Sequence, residues 1–202
     1  MASTKNRVKI FTTPIIAGKY KGKKIAIPAI DTTRSSKSIL RESLFNSIAY
    51  DVVDSNFVEL FSGSGSVGLE ALSRGATKSY FLEQNPTAYK ILQDNIAEIA
   101  PDSSYVLRGD AFELFGSLYK QLQEEGRDTF FYFDPPFSIR DGMEDIYDKC
   151  INLIAQIQDP FAKMVIVEHM TNIDMPERIG KLTKQKRKKF GKSSLTYYTI
   201  ED

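Results

Sequence analysis

An acidic residue followed by two prolines and an aromatic residue is the segment best suited to chemistry. Asp134, Pro135, Pro136 and Phe137 follow directly on the strand-forming run Phe130–Phe133. Consecutive prolines fix the backbone and lack N–H groups, so regular structure stops there and nearby carbonyl groups can accept hydrogen bonds. A carboxylate, rigid carbonyl groups and a flat ring suit the capture of an amino group on a planar base. An ordinary turn at the end of a strand is the alternative.

A glycine-rich loop precedes this element in the chain. Gly63, Gly65 and Gly68 lie between the apolar segment Phe57–Phe61 and a helix-like segment that begins at Leu69. Glycines between a strand and a helix let the backbone approach a nucleotide-like ligand. The loop therefore predicts a site for an adenosine-containing cofactor.

Acidic residues end the next two predicted strands. Glu83 follows Gly63 by about 20 residues, a spacing at which a carboxylate accepts the hydroxyls of a ribose. Asp110 either accepts the amino group of adenine or caps the following helix, and the two roles are compatible. We expect the cofactor to contact these residues: Glu59, Phe61, Gly63, Gly65, Gly68, Glu83, Gln84, Asp110, Ala111 and Asp134.

Apolar segments of strand length alternate with helix-like segments after residue 56. The predicted strands are 57–61, 79–83, 105–107, 129–133 and 164–168. Such alternation is typical of an α/β fold in which a parallel sheet has helices on both faces. Ligands of these sheets bind beyond the carboxyl ends of the strands. The basic segment 180–190 and the alternating segment 195–200 predict an antiparallel pair joined near Gly191.

The N-terminal part of the chain is basic. We expect residues 1–13 to be flexible and predict a hairpin with strands at 15–20 and 25–28 and lysines at its tip. Tyr20 among four lysines suits RNA better than a small substrate, although an ordinary solvated hairpin has the same pattern. The next apolar residues fit one face of a helix; they are Ile39, Leu40, Leu44, Phe45 and Ile48.

Charge is distributed unevenly over the 202 residues. The net charge of +1 combines +9 over residues 1–41, −14 over residues 42–177 and +6 over residues 178–202. Basic ends on an acidic middle favour a surface that binds a polyanion, and loose basic tails are the alternative. The basic run Lys184–Lys189 is either an RNA contact or a solvated surface. His169, the only histidine, is expected in the core rather than in acid–base chemistry.

A single cysteine excludes an internal disulfide, and no apolar run reaches the length of a membrane-spanning helix. Without the features of a secretory signal at residues 1–13, we expect a protein of the reducing cytoplasm. An adenosine cofactor and an amine-holding segment at one sheet edge together indicate N-methylation that depends on S-adenosylmethionine. In-line displacement at the sulfonium methyl relies on positioning, which supplies about 7–11 kcal/mol in well-oriented systems. It requires no metal and no covalent nucleophile.

With these motifs the sequence resembles a known family, the bacterial RsmD-type methyltransferases. These use S-adenosylmethionine to methylate the N2 of a guanine in 16S ribosomal RNA. The resemblance covers nearly the whole chain after Pro14. It rests on segments 15–23, 41–46, 60–71, 134–137 and 167–168, together with Glu83.

The resemblance implies a Rossmann-like class I methyltransferase fold, with a mostly parallel seven-stranded sheet and an antiparallel C-terminal strand. Residues 1–50 would be a small RNA-binding extension of hairpin and helix, and residues 51–202 the methyltransferase domain. Asp134 and the carbonyl of Pro135 would hold the guanine amino group, with Phe137 stacked on the base and Pro136 in the same catalytic segment. RNA would contact Lys19, Tyr20, Lys21, Lys23, Lys24, Arg34, Lys37 and Arg41.

The implied partner is 16S rRNA within a small-subunit assembly particle, bound by a monomer without metal or membrane. Ile39 and the segment Arg34-Ser35-Ser36 depart from the family pattern, which affects the details of RNA contact rather than the chemistry. The Asp-Pro-Pro-Phe pattern also serves methylation of adenine N6, cytosine N4 or a glutamine amide. A non-catalytic rRNA-binding assembly factor with the same fold is the remaining alternative.

Overall fold

The computed structural model describes residues 10–28, 34–136 and 145–201, apart from the side chains of residues 34–36. The strands of these described residues are β1 Ile10–Pro14, β2 Lys24–Pro28, β3 Asn56–Leu60, β4 Lys78–Glu83, β5 Ser104–Arg108, β6 Thr129–Phe133, β7 Ala162–Met170, β8 Arg178–Ile179, β9 Leu182–Phe190 and β10 Ser193–Ile200. The helices are α1 Arg34–Ser47, α2 Ser66–Ser73, α3 Pro86–Ile99, α4 Ala111–Glu125 and α5 Ile146–Ile154.

The main sheet contains eight strands of the described chain in the order β5-β4-β3-β6-β7-β10-β9-β8. Strands β3 to β7 are parallel, whereas β8, β9 and β10 pair in antiparallel fashion. The α/β fold class and the antiparallel pair around Gly191 are therefore confirmed. The predicted count of seven strands omits β8, a two-residue strand at Arg178–Ile179 that is too short to produce a periodic signal.

Helices cover both faces of the sheet. Residues of α1, α2 and α3 pack in one hydrophobic cluster, and residues of α4 and α5 pack in a second cluster on the opposite face. Successive side chains of a strand point to opposite faces, so the aromatic run of β6 serves both clusters. Phe130 and Tyr132 belong to the first cluster, while Phe131 and Phe133 belong to the second.

The N-terminal hairpin differs from the predicted one in its first strand. β1 is Ile10–Pro14 and pairs with β2 in antiparallel fashion, whereas residues 15–23 form the connecting loop rather than a strand. Residues 10–13, expected to be flexible, are thus part of β1. Gly18 and Gly22 both have φ of 85°, a left-handed conformation that interrupts an extended strand. A Cβ at Gly18 would come within 1.8 Å of the Ser73 carbonyl oxygen.

Polar side chains of α2 and α3 hold the hairpin against the sheet domain. The carboxylate of Glu70 accepts hydrogen bonds from the backbone N–H groups of Ile16 at 2.8 Å and Ala17 at 3.1 Å. Asn95 bonds to both the N–H and the carbonyl of Ala26, at 2.8 and 2.9 Å. Hydrophobic residues of the hairpin lie in the first cluster. The hairpin and the sheet therefore share a core.

Helix α1 confirms four of the five predicted apolar contacts. Leu40, Leu44 and Phe45 are buried, as is Ile48 directly after the helix, whereas Ile39 is 59% exposed. Adjacent residues of a helix are rotated by about 100°, and Ile39 falls outside the stripe that faces the sheet. None of the five helices described above combines the length and apolar composition needed to cross a membrane.

Candidate active site

A cavity of about 820 Å³ lies beyond the carboxyl ends of β3, β4 and β6, with the hairpin and α1 on its other side. Its size is in the range of ligand and cofactor sites, and its position is the one expected for an α/β sheet. The residues of sheet and glycine loop that line it include Glu59, Phe61, Gly63, Glu83, Gln84, Ala111, Asp134, Pro135, Pro136 and Glu168.

The three glycines of the loop have different roles. Gly63 borders the cavity, and no atom lies within 4 Å of a Cβ built on it. In contrast, a Cβ on Gly65 would lie 2.4 Å from Leu92 Cδ1, and one on Gly68 would lie 2.4 Å from a ring carbon of Phe81. Gly63 thus leaves backbone open to a ligand, whereas Gly65 and Gly68 allow close packing of α2.

Phe61 enters this loop with a positive φ of 60°. This conformation is uncommon for a bulky residue and is concentrated at functional sites. Its ring packs against that of Phe112, with ring centroids 5.5 Å apart. The strained residue therefore lies between the cavity and the start of α4, as suits the predicted cofactor contact.

Glu59 of β3 forms hydrogen bonds with the backbone at the end of the glycine loop. Its two carboxylate oxygens accept hydrogen bonds from the N–H of Gly68 at 2.8 Å and of Val67 at 3.2 Å. Burial raises the pKa of Glu59 to about 8, although these bonds and the nearby Arg41 favour the charged form. Glu59 lines the cavity and also fixes the N-terminus of α2.

Glu83 lies at the end of β4, as predicted. Its oxygens accept hydrogen bonds from the N–H of Gly63 and the N–H of Asn85, both at 2.7 Å. Burial raises its pKa. Each carboxylate oxygen has a second lone pair, so the side chain can also accept ribose hydroxyls. The bond to Gly63 couples this acceptor to the glycine loop.

Asp110 caps helix α4. Its carboxylate accepts a hydrogen bond from the N–H of Phe112 at 2.8 Å, which confirms the capping interpretation. Asp110 lines a side pocket of about 110 Å³ together with Phe61, Gln84 and Pro136. These three residues also line the main cavity. A contact between Asp110 and adenine stays a prediction.

Asp134 and Pro135 follow β6 at the cavity. Strand β6 lies between β3 and β7 in the centre of the sheet, and the two prolines end it at the edge where Gly63 and Glu83 lie. Asp134 Oδ2 accepts a hydrogen bond from Lys37 Nζ of α1 at 3.0 Å. Phe137 lies outside the described residues, so stacking on a base stays a prediction.

The residues predicted to contact RNA separate into two groups. Lys37 pairs with Asp134 inside the site, and Arg41 is only 4% exposed. Arg41 Nη2 donates to the carbonyl of Pro14 at 2.6 Å, and Arg41 Nε lies 3.7 Å from a carboxylate oxygen of Glu70. Burial lowers the pKa of Arg41. These contacts give Arg41 a structural role between the hairpin and α2. Because Arg41 also lines the cavity, its contact with RNA stays a prediction. The side chain of Arg34 lies outside the described residues.

The second group consists of exposed lysines, three in the hairpin loop and one at the start of β2, which are together called the loop lysines: Lys19, Lys21, Lys23 and Lys24. Tyr20 lies between two of them, with its ring centroid 5.1 Å from Lys19 Nζ and 5.6 Å from Lys23 Nζ. Lys23 Nζ donates to the carbonyl of Glu98 at 2.8 Å, near the C-terminus of α3. The N-terminus of α3 borders the cavity, so Lys23 binds the opposite end of this helix, ~20 Å away. Lys24 lies closer, because it pairs with Pro14, which lines the cavity.

Glu168 and Tyr132 are cavity residues that were missing from the predicted site. Both are 1% exposed, and the Tyr132 hydroxyl donates to Glu168 Oε2 at 2.6 Å. The signal available in the sequence was an acidic residue at the end of the apolar run 164–167. His169 is fully buried, with one ring nitrogen 2.8 Å from Thr196 Oγ1 and the other 2.9 Å from the Met170 carbonyl. The core interpretation of His169 is confirmed.

The strand order and the position of the cavity define a class of protein. Five parallel strands and three antiparallel strands, with a glycine loop after β3, form the Rossmann-like fold of class I S-adenosylmethionine-dependent methyltransferases. A structure titled "Putative methyltransferase yhhF from Escherichia coli" has a TM-score of 0.72 at 27% identity, and the match covers 95% of this chain and 99% of that one.

The family follows from the sequence comparisons. The model described as conserved hypothetical protein 95 matches residues 13–199, so the chain belongs to this family, the RsmD-type methyltransferases that it resembles. The ribosomal RNA small subunit methyltransferase D of Escherichia coli is 31% identical over 69% of this chain and 65% of its own length. The protein named "Putative rRNA methyltransferase YlbH" of Bacillus subtilis is 26% identical over 91% and 97%, respectively.

The cavity also fits the predicted cofactor. Its volume of about 820 Å³ suffices for a nucleoside with an amino-acid chain. Gly63 leaves backbone exposed to the cavity, and Glu83 has lone pairs for ribose hydroxyls. With the fold and the family, these features confirm S-adenosylmethionine as the cofactor.

Proposed function

We propose that this protein transfers a methyl group from S-adenosylmethionine to the N2 amine of a guanine in 16S rRNA. The observation that carries the proposal is the position of Asp134 and Pro135 on the same cavity as Gly63 and Glu83. An amine-holding segment and a cofactor-binding loop thus border one space. The names of the Escherichia coli and Bacillus subtilis relatives support rRNA as the substrate.

In this proposal Asp134 and Pro135 act by holding the amine. The lone pair of a guanine amino group is delocalised into the ring, so the nitrogen is a weak nucleophile. Hydrogen bonds from its two N–H groups to the Asp134 carboxylate and the Pro135 carbonyl orient the nitrogen towards the methyl group. The cofactor supplies an electrophilic methyl on sulfonium. After transfer, the Asp134 carboxylate is the base available for the proton that leaves the nitrogen.

Lys37 holds the Asp134 carboxylate in position before the substrate arrives. Its ammonium group bonds to Asp134 Oδ2 at 3.0 Å, and both side chains are partly exposed. Lys37 thus contributes to the site through Asp134 rather than as one more surface contact to phosphate.

The exposed lysines of the hairpin loop supply RNA affinity at a distance from the reaction. Phosphate contacts fix the position of a nucleic acid without reading its sequence, and Tyr20 offers a ring for stacking. The target base would enter the cavity while the flanking RNA extends towards the loop. We propose that the protein acts as a monomer on RNA within a small-subunit particle.

Mass mapping of methylated guanines tests this proposal. Small-subunit particles from cells that lack the protein are incubated with the protein and labelled S-adenosylmethionine, and the labelled nucleoside is identified. We expect a single N2-methylguanosine in 16S rRNA, and none with Asp134→Asn. Label in adenine, cytosine or a protein glutamine would reject the guanine assignment. Cofactor binding without methyl transfer to any of these substrates would favour the non-catalytic assembly factor.

A further inference from the structure

Glu168 and Asp134 lie side by side at the cavity. Across the parallel pair β6–β7, Tyr132 is aligned with Ile166 and Phe133 with Val167, so the continued register brings Asp134 next to Glu168. Neighbouring strands are about 4.8 Å apart. Tyr132 and Ile166 point to the face covered by α1. Asp134 and Glu168 each follow two residues later and therefore point to that same face.

One oxygen of Glu168 lacks a hydrogen-bond partner within the described part of the chain. Oε2 accepts the Tyr132 hydroxyl at 2.6 Å, whereas Oε1 is buried and has no partner there. Buried polar atoms are almost always paired, and an unpaired acceptor costs free energy. Tyr132 also fixes the orientation of the carboxylate. Because Glu168 lines the cavity, its unpaired oxygen is placed to accept a hydrogen bond from a bound ligand.

The two acceptors together match one nucleobase edge. Guanine presents its N2 amino group beside N1–H, so the N2 and N1 positions are two adjacent donors. Adenine presents its N6 amino group beside an acceptor at N1, and cytosine presents its N4 amino group beside an acceptor at N3. An acceptor beside Asp134 and Pro135 would therefore bind N1–H of guanine. On adenine or cytosine the same acceptor would face a ring nitrogen lone pair, which repels it.

We propose that Glu168 is the residue that selects guanine: its Oε1 accepts a hydrogen bond from guanine N1–H while Asp134 and Pro135 hold the N2 amine. This inference rests on the proposed methylation of guanine N2. It adds what the Asp-Pro-Pro segment lacks, because that segment can hold any of the three amines. Glu168 acts on recognition and leaves the cofactor contacts to Gly63 and Glu83.

The test combines Glu168→Gln with a modified base. RNA of the small subunit is prepared with either guanine or 2-aminopurine at the mapped target; 2-aminopurine keeps the amino group but has an acceptor at N1. The wild type should prefer guanine by at least about 100-fold in kcat/KM. Because a rotated glutamine amide donates to the N1 of 2-aminopurine, this preference should fall at least about tenfold in Glu168→Gln.

Glu125→Gln is the matched control. Glu125 accepts the Tyr80 hydroxyl at 2.8 Å, so the variant alters a second Tyr–Glu pair, which does not line the cavity. Its base preference should equal that of the wild type. Calorimetry with S-adenosylmethionine should give unchanged affinity for both variants, which verifies that they are folded.

The outcomes separate the two proposals. Guanine methylation with an unchanged preference in Glu168→Gln would overturn the role of Glu168 and leave the proposed function standing. Weakened binding of S-adenosylmethionine by Glu168→Gln, with the base preference retained, would assign the carboxylate to the cofactor and also overturn its role in base selection. Absence of guanine methylation by the wild type would overturn both proposals.

Discussion

Two groups of basic residues near the N-terminus have similar charge and opposite surroundings. Lys37 and Arg41 of α1 face the cavity, where one pairs with Asp134 and the other lies buried beside Glu70. The loop lysines are exposed, and Lys23 bonds to a carbonyl near the C-terminus of α3. Lys37 and Arg41 therefore belong to the active site and the contacts that stabilise it, whereas the loop lysines are accessible to RNA.

The difference shows that burial determines what a charge contributes. A buried ion pair that loses one partner leaves an uncompensated charge, which costs several kcal/mol. An exposed charge contributes little to stability but attracts a polyanion over about 10 Å at moderate salt. Substitutions in the two regions should therefore differ in kind: loss of turnover or stability near the cavity, and altered salt dependence at the loop.

Asp134→Ala should have the largest effect. Removal of the carboxylate that holds the amine should lower kcat about 10²–10³-fold, while affinity for S-adenosylmethionine in calorimetry stays nearly unchanged. Asp128→Ala is the control at the opposite end of β6, where Asp128 forms an exposed pair with Lys163 at 3.3 Å. Normal turnover by Asp134→Ala would refute the assigned role.

Arg41→Leu should destabilise the fold rather than weaken RNA binding specifically. Glu70 would keep its bond to Arg74 at 2.8 Å but lose its other cation, and the Pro14 carbonyl would lose a donor. We expect about 2–3 kcal/mol lower free energy of unfolding in urea. The exposed pair of Arg178 and Glu201 provides the control Arg178→Leu, with a change within about 0.5 kcal/mol. Unchanged stability of Arg41→Leu would contradict its structural role.

Glu59 should make stability depend on pH. Because burial raises its pKa to about 8 in the folded protein, the folded state retains a proton that the unfolded state has lost above its ordinary pKa. The stabilisation is complete below that ordinary pKa and declines as pH rises towards 8, by at most about 1.4 kcal/mol per pH unit. Urea unfolding at pH 5–9 should show a steeper decline for the wild type than for Glu59→Gln, in which the raised pKa of Glu83 still contributes. Parallel pH profiles for the two proteins would contradict the shifted pKa.

The sheet and its cofactor side were predictable because their signals are local. The glycine loop after Phe57–Phe61, Glu83 at a strand end and Asp134 before two prolines each depend on neighbouring residues in the chain. A parallel sheet then brings successive strand ends to one edge. Asp110 as a helix cap was predictable for the same reason, since a cap needs only the residues that follow it.

The roles of Arg41, Glu168 and the hairpin were not predictable from local patterns. Glu70 reaches the N–H of Ile16 across 54 positions in sequence, and this contact converts a predicted strand into a docked loop. From its local sequence Arg41 has the pattern of a surface residue, and it is buried only because α1 packs against Glu70. The proposed role of Glu168 depends on the register of β6 and β7, which places Glu168 beside Asp134.

Replacement of the loop lysines should have the smallest effect on the enzyme itself. In the triple variant of Lys21, Lys23 and Lys24 to Gln, each lost phosphate contact should reduce the slope of log affinity against log salt by about 0.7–0.9. Turnover at saturating RNA and the free energy of unfolding should change little, because these side chains are exposed and none of them lines the cavity.

A matched control places the same change elsewhere. Lys120 and Lys163 are exposed, and their replacement with Gln removes positive charge outside the hairpin loop. Binding of small-subunit RNA is measured between low and moderate salt for both variants. If the loop variant has the slope of the wild type, the loop is not part of the interface. If both variants reduce the slope equally per lysine removed, attraction to RNA comes from the overall charge of the protein. The loop lysines would then have no specific role in RNA binding.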